Sequence, residues 1–414
     1  MPSSPNPEVL VVGGGPAGAA AAFWLADRGH EVWLVERGRY PRAKTCGDGL
    51  TPRSVYELQA MGFDFSAPGF HRCRGLRAVA GGRILELEWP AHPLYPPWGG
   101  VMRRADLDER VAALAAGRGA TLLTGTEAVP VLEGGRIGGV VLRGPEGPGL
   151  ARPRAVVVAD GALRRFGRAL GAQRDRRAPI GVGARTYFAS PRSGDGYLES
   201  YLDLHDAAGS TLPGYGWVFP LGDGAVNAGV GVISTFHRWR EVNTRQLMEA
   251  LLATAPSSWG LGPEGSLGEV RGGILPMAGS VGPAAGPNWV LAGDAAGMVN
   301  PFNGEGIAYA YQTGRLAAEH VHRALAAGDL TLLQSYRQDL DDRFGLYHRV
   351  GRVFSRALGR PGVMWVLTRV GLRSRPLMEW ALRVMSDMLD PADRGVGAAA
   401  YRLIERIVRV WPEP

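Results

Sequence analysis

A glycine-rich turn near the start of the chain constrains the fold more than any other feature. Residues 13–18 read Gly-Gly-Gly-Pro-Ala-Gly and fit the pattern G-x-G-x-x-G. The turn follows an apolar run at residues 9–12 and precedes an alanine-rich stretch, so it predicts a strand, a tight turn and a helix. Gly13, Gly15 and Gly18 allow close backbone approach to a pyrophosphate, and the helix start at Pro16 and Ala17 offers free N–H groups.

An acidic residue indicates the kind of nucleotide that this turn accepts. Glu36 ends the second apolar run, at residues 31–36. A carboxylate at this place accepts hydrogen bonds from the ribose hydroxyls and repels a 2′-phosphate. We therefore expect an unphosphorylated adenosine ribose.

A second glycine-rich stretch, far along the chain, favours FAD over NAD. The strand-like run that begins at Trp289 ends in Gly293-Asp294, and residues 301–306 then lead into a long helical pattern. In flavoproteins with this pattern, the aspartate binds the ribityl chain and the helix start faces the flavin O2 edge. A helix N-terminus stabilises the negative charge that develops there on reduction. We therefore predict an FAD site assembled from both stretches.

The order of the patterns predicts a mixed α/β fold of the hydroxylase-type flavoprotein architecture. Short apolar runs separated by Gly and Pro at residues 181–232 predict an antiparallel sheet, and the chain after residue 330 is mostly helical in pattern. We predict a Rossmann-like FAD-binding domain that is interleaved with an antiparallel-sheet substrate domain and followed by a helical region. The predicted bounds are 1–70, 100–180 and 271–330 for the first, 71–99 and 181–270 for the second, and 331–414 for the third.

Composition argues against several other classes of protein. The formal net charge is +7, but the basic residues form no block with interleaved aromatics, so we expect no nucleic-acid partner. Cys46 and Cys73 are too few for a disulfide framework and suit a reducing cytosol. No apolar run reaches about 18 residues, so no spanning helix is expected. We identify no metal site. Lys44 is the single lysine, either a chance survivor or a position that needs a compact ammonium.

Two further segments carry candidate chemistry. Residues 42–49 form a glycine-rich loop in which Cys46 is either a thiol near flavin and substrate or a small buried residue. The run Tyr-Gly-Trp-Val-Phe-Pro at 215–220 places Tyr215, Trp217 and Phe219 on one face of a strand. Such a face is either an apolar wall for a polyprenyl chain or part of an ordinary sheet core.

Together these motifs resemble the geranylgeranyl reductase family of FAD-dependent oxidoreductases, and within it the actinobacterial members that reduce the isoprenoid tail of menaquinone. The resemblance runs from Val9 to about Met388, and it depends on residues 41–49, 215–220, 229–231, 293–296 and 300–306. It implies a reductase that saturates a C=C bond of a polyprenyl chain by hydride transfer from flavin N5 plus protonation. NAD(P)H or another external reductant would supply the electrons.

The resemblance and the motifs give a set of candidate site residues. Cys46, Tyr215 and Trp217 are the predicted catalytic residues, with Cys46 (through water) or Tyr215 as the proton source. Asp160-Gly161 matches a hydroxylase fingerprint imperfectly, because Arg164 stands where serine is expected. The predicted substrate contacts are Tyr215, Trp217, Phe219 and Pro220. The predicted cofactor-binding residues are Gly13, Gly15, Pro16, Ala17, Gly18, Glu36, Arg37, Lys44, Cys46, Gly47, Arg104, Asp160, Gly161, Gly293, Asp294, Pro301, Gly304, Glu305, Gly306 and Ile307.

Three rival functions share parts of this pattern. A class A FAD-dependent monooxygenase of an aromatic or lipid-like substrate has the same flavin motifs, and a flavin halogenase requires a second lysine that this chain lacks. A flavin-binding lipid carrier without redox turnover is the third. Residues 349–388 interleave apolar residues with arginines, which fits either helices packed on the protein or a peripheral contact with an anionic membrane. We expect a cytoplasmic protein, with that contact at the inner face of the cell membrane as a further hypothesis.

Overall fold

The computed structural model describes residues 6–145, 147–163, 165–205, 208–209, 211–212, 214–236, 239–360, 363, 371–390 and 392–410. Arg164, Arg369 and residues 364–367, which figured in the sequence patterns, lie outside the described residues. The helices are α1 Pro16–Ala26, α2 Pro52–Ala60, α3 Arg104–Gly117, α4 Arg165–Ala169, α5 Thr244–Thr254, α6 Ile307–Ala326, α7 Tyr336–Leu340, α8 Leu346–Leu358, α9 Arg375–Met385 and α10 Val396–Val410.

The strands, in chain order, are β1 Val9–Val12, β2 Val32–Glu36, β3 Gly49–Leu50, β4 His71–Cys73, β5 Gly75–Ala80, β6 Arg83–Glu88, β7 Gly99–Val101, β8 Thr121–Thr124, β9 Glu127–Glu133, β10 Arg136–Gly144, β11 Gly147–Ala151, β12 Ala155–Val158, β13 Gln173–Arg174, β14 Ile180–Ala189, β15 Tyr197–Tyr201, β16 Tyr215–Pro220, β17 Ala225–Ile233, β18 Arg271–Pro276, β19 Val281–Gly282, β20 Ala285–Gly286 and β21 Trp289–Leu291.

A six-stranded sheet in the order β20-β21-β12-β1-β2-β8 positions the predicted cofactor residues. Its central strands are parallel, with Val9 opposite both Val32 and Ala155. β1, β2, β12 and β21 are buried throughout, which explains their continuous apolar sequences. Their carboxyl ends share one edge of the sheet, which is where a doubly wound fold binds its ligand.

A seven-stranded sheet in the order β18-β14-β17-β16-β15-β5-β6 forms the second layer. It is antiparallel except for the parallel pair β15–β5. Leu247 and Leu251 of α5 belong to the same buried cluster as Val218 and Val230, on strands β16 and β17. The mixed α/β fold class is therefore confirmed.

The interleaved domain bounds stay a prediction, and two strands pair with strands on the other side of those bounds. β18 pairs with β14, so residues 271–276 extend the seven-stranded sheet beyond the predicted limit at 270. β4 pairs with β7 in a small sheet with β3 instead of joining β5. β18 differs from the expectation because the strand pairing continues along β14 to Pro276, opposite Ile180.

Candidate functional site

The glycine turn leaves the start of α1 open. Gly13 has a φ of +100°, and a Cβ atom there would lie 2.3 Å from the Ala159 carbonyl oxygen. A Cβ atom at Gly18 would lie 1.8 Å from the Gly13 carbonyl oxygen. Among the described residues, the Cβ position of Gly15 has only an Arg42 side-chain nitrogen nearby, at 3.8 Å, and no side chain caps α1. Gly13 and Gly18 therefore permit close packing, while Gly15 lies next to the backbone N–H groups that the helix start leaves unpaired.

The Glu36 carboxylate faces this turn. It accepts hydrogen bonds from the backbone N–H groups of Gly14 at 2.9 Å and Gly38 at 2.7 Å. Arg42 pairs with Glu36 at 3.0 Å and with Asp108 at 3.2 Å. Arg42 was absent from the predicted set, although it stands in the motif before Lys44. Arg37, which was predicted to bind the cofactor, is exposed.

The two glycine-rich stretches meet in space. Lys44 Nζ lies 4.0 Å from the Asp294 carboxylate, although the two residues come from opposite ends of the sequence. A Cβ atom at Gly306 would lie 3.4 Å from Asp294 Oδ1, and one at Gly293 would lie 2.8 Å from the Ala17 Cβ atom. The loop after β2, the end of β21 and the starts of α1 and α6 therefore converge.

Three predicted residues have structural partners that explain their presence. Glu305 accepts hydrogen bonds from Ala308 N–H at 2.6 Å and from the Ser54 hydroxyl at 3.2 Å, so it caps α6. Asp160 accepts from Phe166 N–H at 2.7 Å and caps α4.

Pro301 packs against α8. A Cβ atom at Gly351 would lie 2.2 Å from its ring. Direct contact of Glu305, Asp160 and Pro301 with a cofactor remains a prediction.

Cys46 lies beside a buried ion pair. Arg104 donates to Asp108 through two nitrogens, at 2.8 and 2.9 Å, and both side chains are buried. Burial raises the pKa of the Cys46 thiol, and the neighbouring Arg104 guanidinium only partly offsets this rise. The thiol therefore holds its proton at neutral pH. Cys73 is buried elsewhere, and both cysteines are free thiols.

The aromatic residues of β16 form a row on one face of the sheet. The ring centroids of Tyr215 and Trp217 are 5.9 Å apart, and those of Trp217 and Phe219 are 6.2 Å apart. Opposite them on β17 stand Gly231, Gly229 and Asn227. A Cβ atom at Gly229 would lie 2.3 Å from the Trp217 ring, and one at Gly231 would lie 3.1 Å from the Tyr215 ring. The Gly-x-Gly motif thus lets the rings lie across the neighbouring strand.

The aromatic row spans the two loops that converge on the site. Tyr215 donates a hydrogen bond to the Asn303 carbonyl oxygen at 3.1 Å. Phe219 lies 3.2 Å from the Cβ position of Gly47, which belongs to the loop of residues 42–49 that carries Cys46, the thiol loop. Pro220 alternates to the opposite face of the strand, so the structure does not bring it into this row.

Comparisons with known proteins show which family the chain resembles. The family model described as FAD binding domain matches residues 6–191. The menaquinone reductase of Mycolicibacterium smegmatis is 40% identical to this chain, and the matched region covers 97% of this chain and 98% of the relative. Digeranylgeranylglycerophospholipid reductase 1 of Methanopyrus kandleri is 30% identical, and the matched region covers 81% of this chain and 86% of the relative. The chain belongs to the geranylgeranyl reductase family. It is an FAD-dependent oxidoreductase, as the motifs predicted.

A solved member agrees over the whole chain. The geranylgeranyl bacteriochlorophyll reductase-like protein of Thermoplasma acidophilum has a TM-score of 0.75, is 25% identical and covers 98% of each chain. The geranylgeranyl reductase fold thus includes both sheets and the C-terminal helices of the described residues.

The residues at the sheet edge fit FAD. The uncapped start of α1, the Glu36 carboxylate and Asp294 offer the donors and acceptors that a dinucleotide needs. Arg42 Nε and the Tyr311 hydroxyl are buried without a hydrogen-bond partner among the described residues. Tyr311 lies near Arg104 and the Cys46 thiol, and sequence reasoning missed it because it falls within a plain helical pattern.

Proposed function

We propose that this enzyme saturates a C=C bond in the isoprenoid tail of menaquinone. The observation that carries the proposal is the aromatic row of Tyr215, Trp217 and Phe219, which lies between the thiol loop and the loop before α6. Two relatives are named for reducing menaquinone and a digeranylgeranyl lipid. A row of aromatic rings beside a flavin site suits a polyprenyl chain.

We assign Trp217, Tyr215 and Cys46 separate roles in this reaction. Bound FAD, once reduced by NAD(P)H or another external reductant, supplies a hydride at N5. The Trp217 and Tyr215 rings hold the tail and stabilise positive charge that develops on the alkene carbon, because ring faces attract cations. Cys46 retains a proton because burial raises its pKa, and it supplies that proton to the second carbon.

Tyr215 is the weaker proton source. A phenol releases its proton less readily than a thiol, with ordinary pKa values of about 10 and 8.5, and burial raises the pKa of both Tyr215 and Cys46. Its hydroxyl is also engaged with the Asn303 carbonyl oxygen. We therefore assign Tyr215 to holding the tail and to bracing the loop before α6.

Mass spectrometry of lipids from cells with and without the gene tests the substrate. We expect the menaquinone tail to gain two hydrogens for each saturated unit, a conversion that the Trp217→Leu variant loses and the remote Ile84→Ser variant retains. Changes confined to diphosphates or phospholipids would contradict the quinone assignment. Consumption of NAD(P)H that needs both oxygen and an aromatic compound would instead identify a monooxygenase.

We further propose that α10 contacts an anionic membrane. One stripe of the helix, including Tyr401 and Val408, is buried against the protein. A separate stripe is exposed: Leu403 is 58% and Ile407 44% accessible. Arg402, Arg406 and Arg409 flank that second stripe. An exposed apolar stripe beside arginines is typical of helices that lie on anionic lipid.

Sedimentation with lipid vesicles tests this contact. Among the described residues, no helix is long and apolar enough to cross a membrane. We expect binding to phosphatidylglycerol vesicles that falls about tenfold in a Leu403→Ser, Ile407→Ser double variant, because two apolar side chains leave the interface. Ile84→Ser, which changes an exposed residue of β6, should bind like the parent. Equal binding by all three proteins, or dimer formation through α10, would refute the membrane assignment.

A further inference from the structure

Asp48 is a buried carboxylate in the middle of the thiol loop. It is fully inaccessible and has a φ of +65°, a conformation that few residues other than glycine adopt. One oxygen accepts hydrogen bonds from the Tyr187 hydroxyl at 2.7 Å and from Asn227 Nδ2 at 2.8 Å. The other accepts from Arg104 N–H at 3.2 Å. A single carboxylate thus joins the loop to β14, β17 and α3.

Asn227 extends this connection in two directions. Its Nδ2 also donates to the Cys46 carbonyl oxygen at 2.8 Å, and its Oδ1 accepts from Trp217 Nε1 at 3.0 Å. The side chain is fully buried. One amide therefore sets the distance between the thiol loop and the central ring of the aromatic row.

A charged partner supports the pair from the sheet. Arg185 donates to the Lys44 carbonyl oxygen at 2.9 Å, and its guanidinium lies 4.3 Å from the Tyr187 ring centroid. Burial raises the pKa of Asp48, whereas the Tyr187 and Asn227 hydrogen bonds and the Arg185 charge lower it. The loop is thereby held at Lys44, Cys46 and Asp48, three points around the thiol.

We propose that the Asp48–Asn227 pair is a positioning device that fixes the backbone at Cys46, and through it the thiol, relative to the Trp217 ring. The alkene must reach the proton donor and the aromatic face at once, so their separation determines which bond of the chain reacts. The role of the pair in catalysis rests on the proposed function, whereas its control of the thiol does not. Neither residue needs to touch substrate.

The rate of Cys46 alkylation in the flavin-loaded protein measures how firmly the thiol loop is fixed in place. Cys46 is partly exposed and Cys73 is fully buried, so iodoacetamide reports on Cys46. Asn227→Asp replaces the donating nitrogen with an oxygen that faces Asp48 and the Cys46 carbonyl oxygen. We expect alkylation to accelerate about tenfold, because repulsion releases the loop.

Asn288→Asp is the matched control. Asn288 is equally buried and is hydrogen-bonded through both amide atoms to Ile137, just before the start of β21 and remote from the thiol. We expect a comparable loss of stability but an unchanged alkylation rate. The double variant Asp48→Asn, Asn227→Asp restores a donor and an acceptor between the two positions and should recover part of the slow rate. Tyr187→Phe, which removes one hydrogen bond, is the milder test if Asn227→Asp does not fold.

The kinetic constants separate positioning from simple destabilisation. With a menaquinone substrate we expect kcat to fall about tenfold in Asn227→Asp while KM changes little, because binding surfaces remain and alignment is lost. Alkylation rates in Asn227→Asp and Tyr187→Phe equal to that of the Asn288→Asp control would overturn the proposal. If alkylation accelerates but no variant, nor the parent, turns over menaquinone, the positioning inference stands and the proposed substrate fails.

Discussion

Trp217 occupies its place only because residue 229 has no side chain. The indole ring lies across Gly229 and donates to Asn227 at 3.0 Å. The ring therefore depends on a glycine in the next strand as much as on its own rotamer. At the residue scale, the site is formed by pairs in which a large side chain packs over a glycine.

Gly229→Ala should displace this ring. The added Cβ atom would lie 2.3 Å from Trp217, so the indole must move and the Nε1 hydrogen bond to Asn227 must break. We expect a loss of about 1–3 kcal/mol of unfolding free energy and a fall of about tenfold or more in kcat/KM. Gly149→Ala, in β11, is the control and should leave both unchanged, because no atom of the described residues lies within 4 Å of its Cβ position. Identical tryptophan emission spectra in the two variants would show that the ring had not moved.

His348 makes folding stability depend on pH. The residue is buried, Nε2 has no hydrogen-bond partner among the described residues, and its pKa is lowered to about 3, first by burial and then by Arg352 and Arg53. Its pKa in the unfolded chain is about 6.5. The lowered folded pKa therefore means that stability is complete above pH ~6.5 and falls as the pH drops from there toward ~3, by at most about 1.4 kcal/mol per pH unit.

His348→Phe should remove this component. We expect the unfolding free energy of the variant, measured by denaturant titration, to fall less steeply than that of the parent below pH ~6.5. Parallel pH profiles for the two proteins would mean that His348 does not titrate between the folded and unfolded states in this range.

At the scale of elements, the predicted strand–turn–helix units were accurate where one pattern determines one element. β1, the turn at Gly13 and α1 follow directly from the sequence. The aromatic row also follows, since strand alternation alone puts its rings on one face. These parts depend on local sequence, so local patterns predict them.

Other parts depend on contacts that no local pattern contains. Asn227 lies in a plain strand pattern and acquires its role only when the thiol loop packs on β17. Tyr311 is one aromatic residue in a helix, and Glu305 sits beside the flavin motif but caps α6. The end of the seven-stranded sheet at β18 was missed for the same reason, because pairing with β14 is a long-range choice.

The contact between α1 and α6 brings both helix starts to the cofactor edge. It is close because α6 carries Gly314, where a Cβ atom would lie 2.2 Å from the Ala17 carbonyl oxygen. Gly314→Ala should separate the two helices, lower the unfolding free energy by about 1–3 kcal/mol and weaken FAD retention. Equilibrium dialysis against free FAD, followed by flavin fluorescence, measures the second effect.

Gly117→Ala is the matched control for that substitution. Gly117 ends α3, and no atom in the described part of the chain lies within 4 Å of its Cβ position, so alanine should be neutral or stabilise by up to about 1 kcal/mol through helix propensity. Equal FAD retention in both variants would indicate that the helix contact does not shape the cofactor site.

At the scale of the whole molecule, the C-terminal helices share the core of the six-stranded sheet. Tyr347 and Val350 of α8, Val384 of α9 and Tyr401 of α10 belong to the same buried cluster as Val11 of β1. An ion pair reinforces this junction, since Arg53 of α2, which is buried, contacts the partly exposed Asp387 just beyond α9. Arg53 also donates to Gln312 at 2.6 Å and lies over the Tyr309 ring. The C-terminal helices should therefore unfold together with the cofactor domain.

Arg53→Leu tests that coupling. Leucine leaves the partly exposed Asp387 carboxylate without its partner and the Gln312 side chain without its donor, so we expect a loss of about 1–3 kcal/mol of unfolding free energy. Loss of helical circular dichroism and release of flavin fluorescence should still coincide on heating, both at a lower temperature than in the parent. Arg337→Leu, which breaks the exposed pair with Asp341, should cost no more than about 1 kcal/mol. A separate early loss of helix in Arg53→Leu, with flavin still bound, would mean that the C-terminal helices form an independent unit held on by this pair alone.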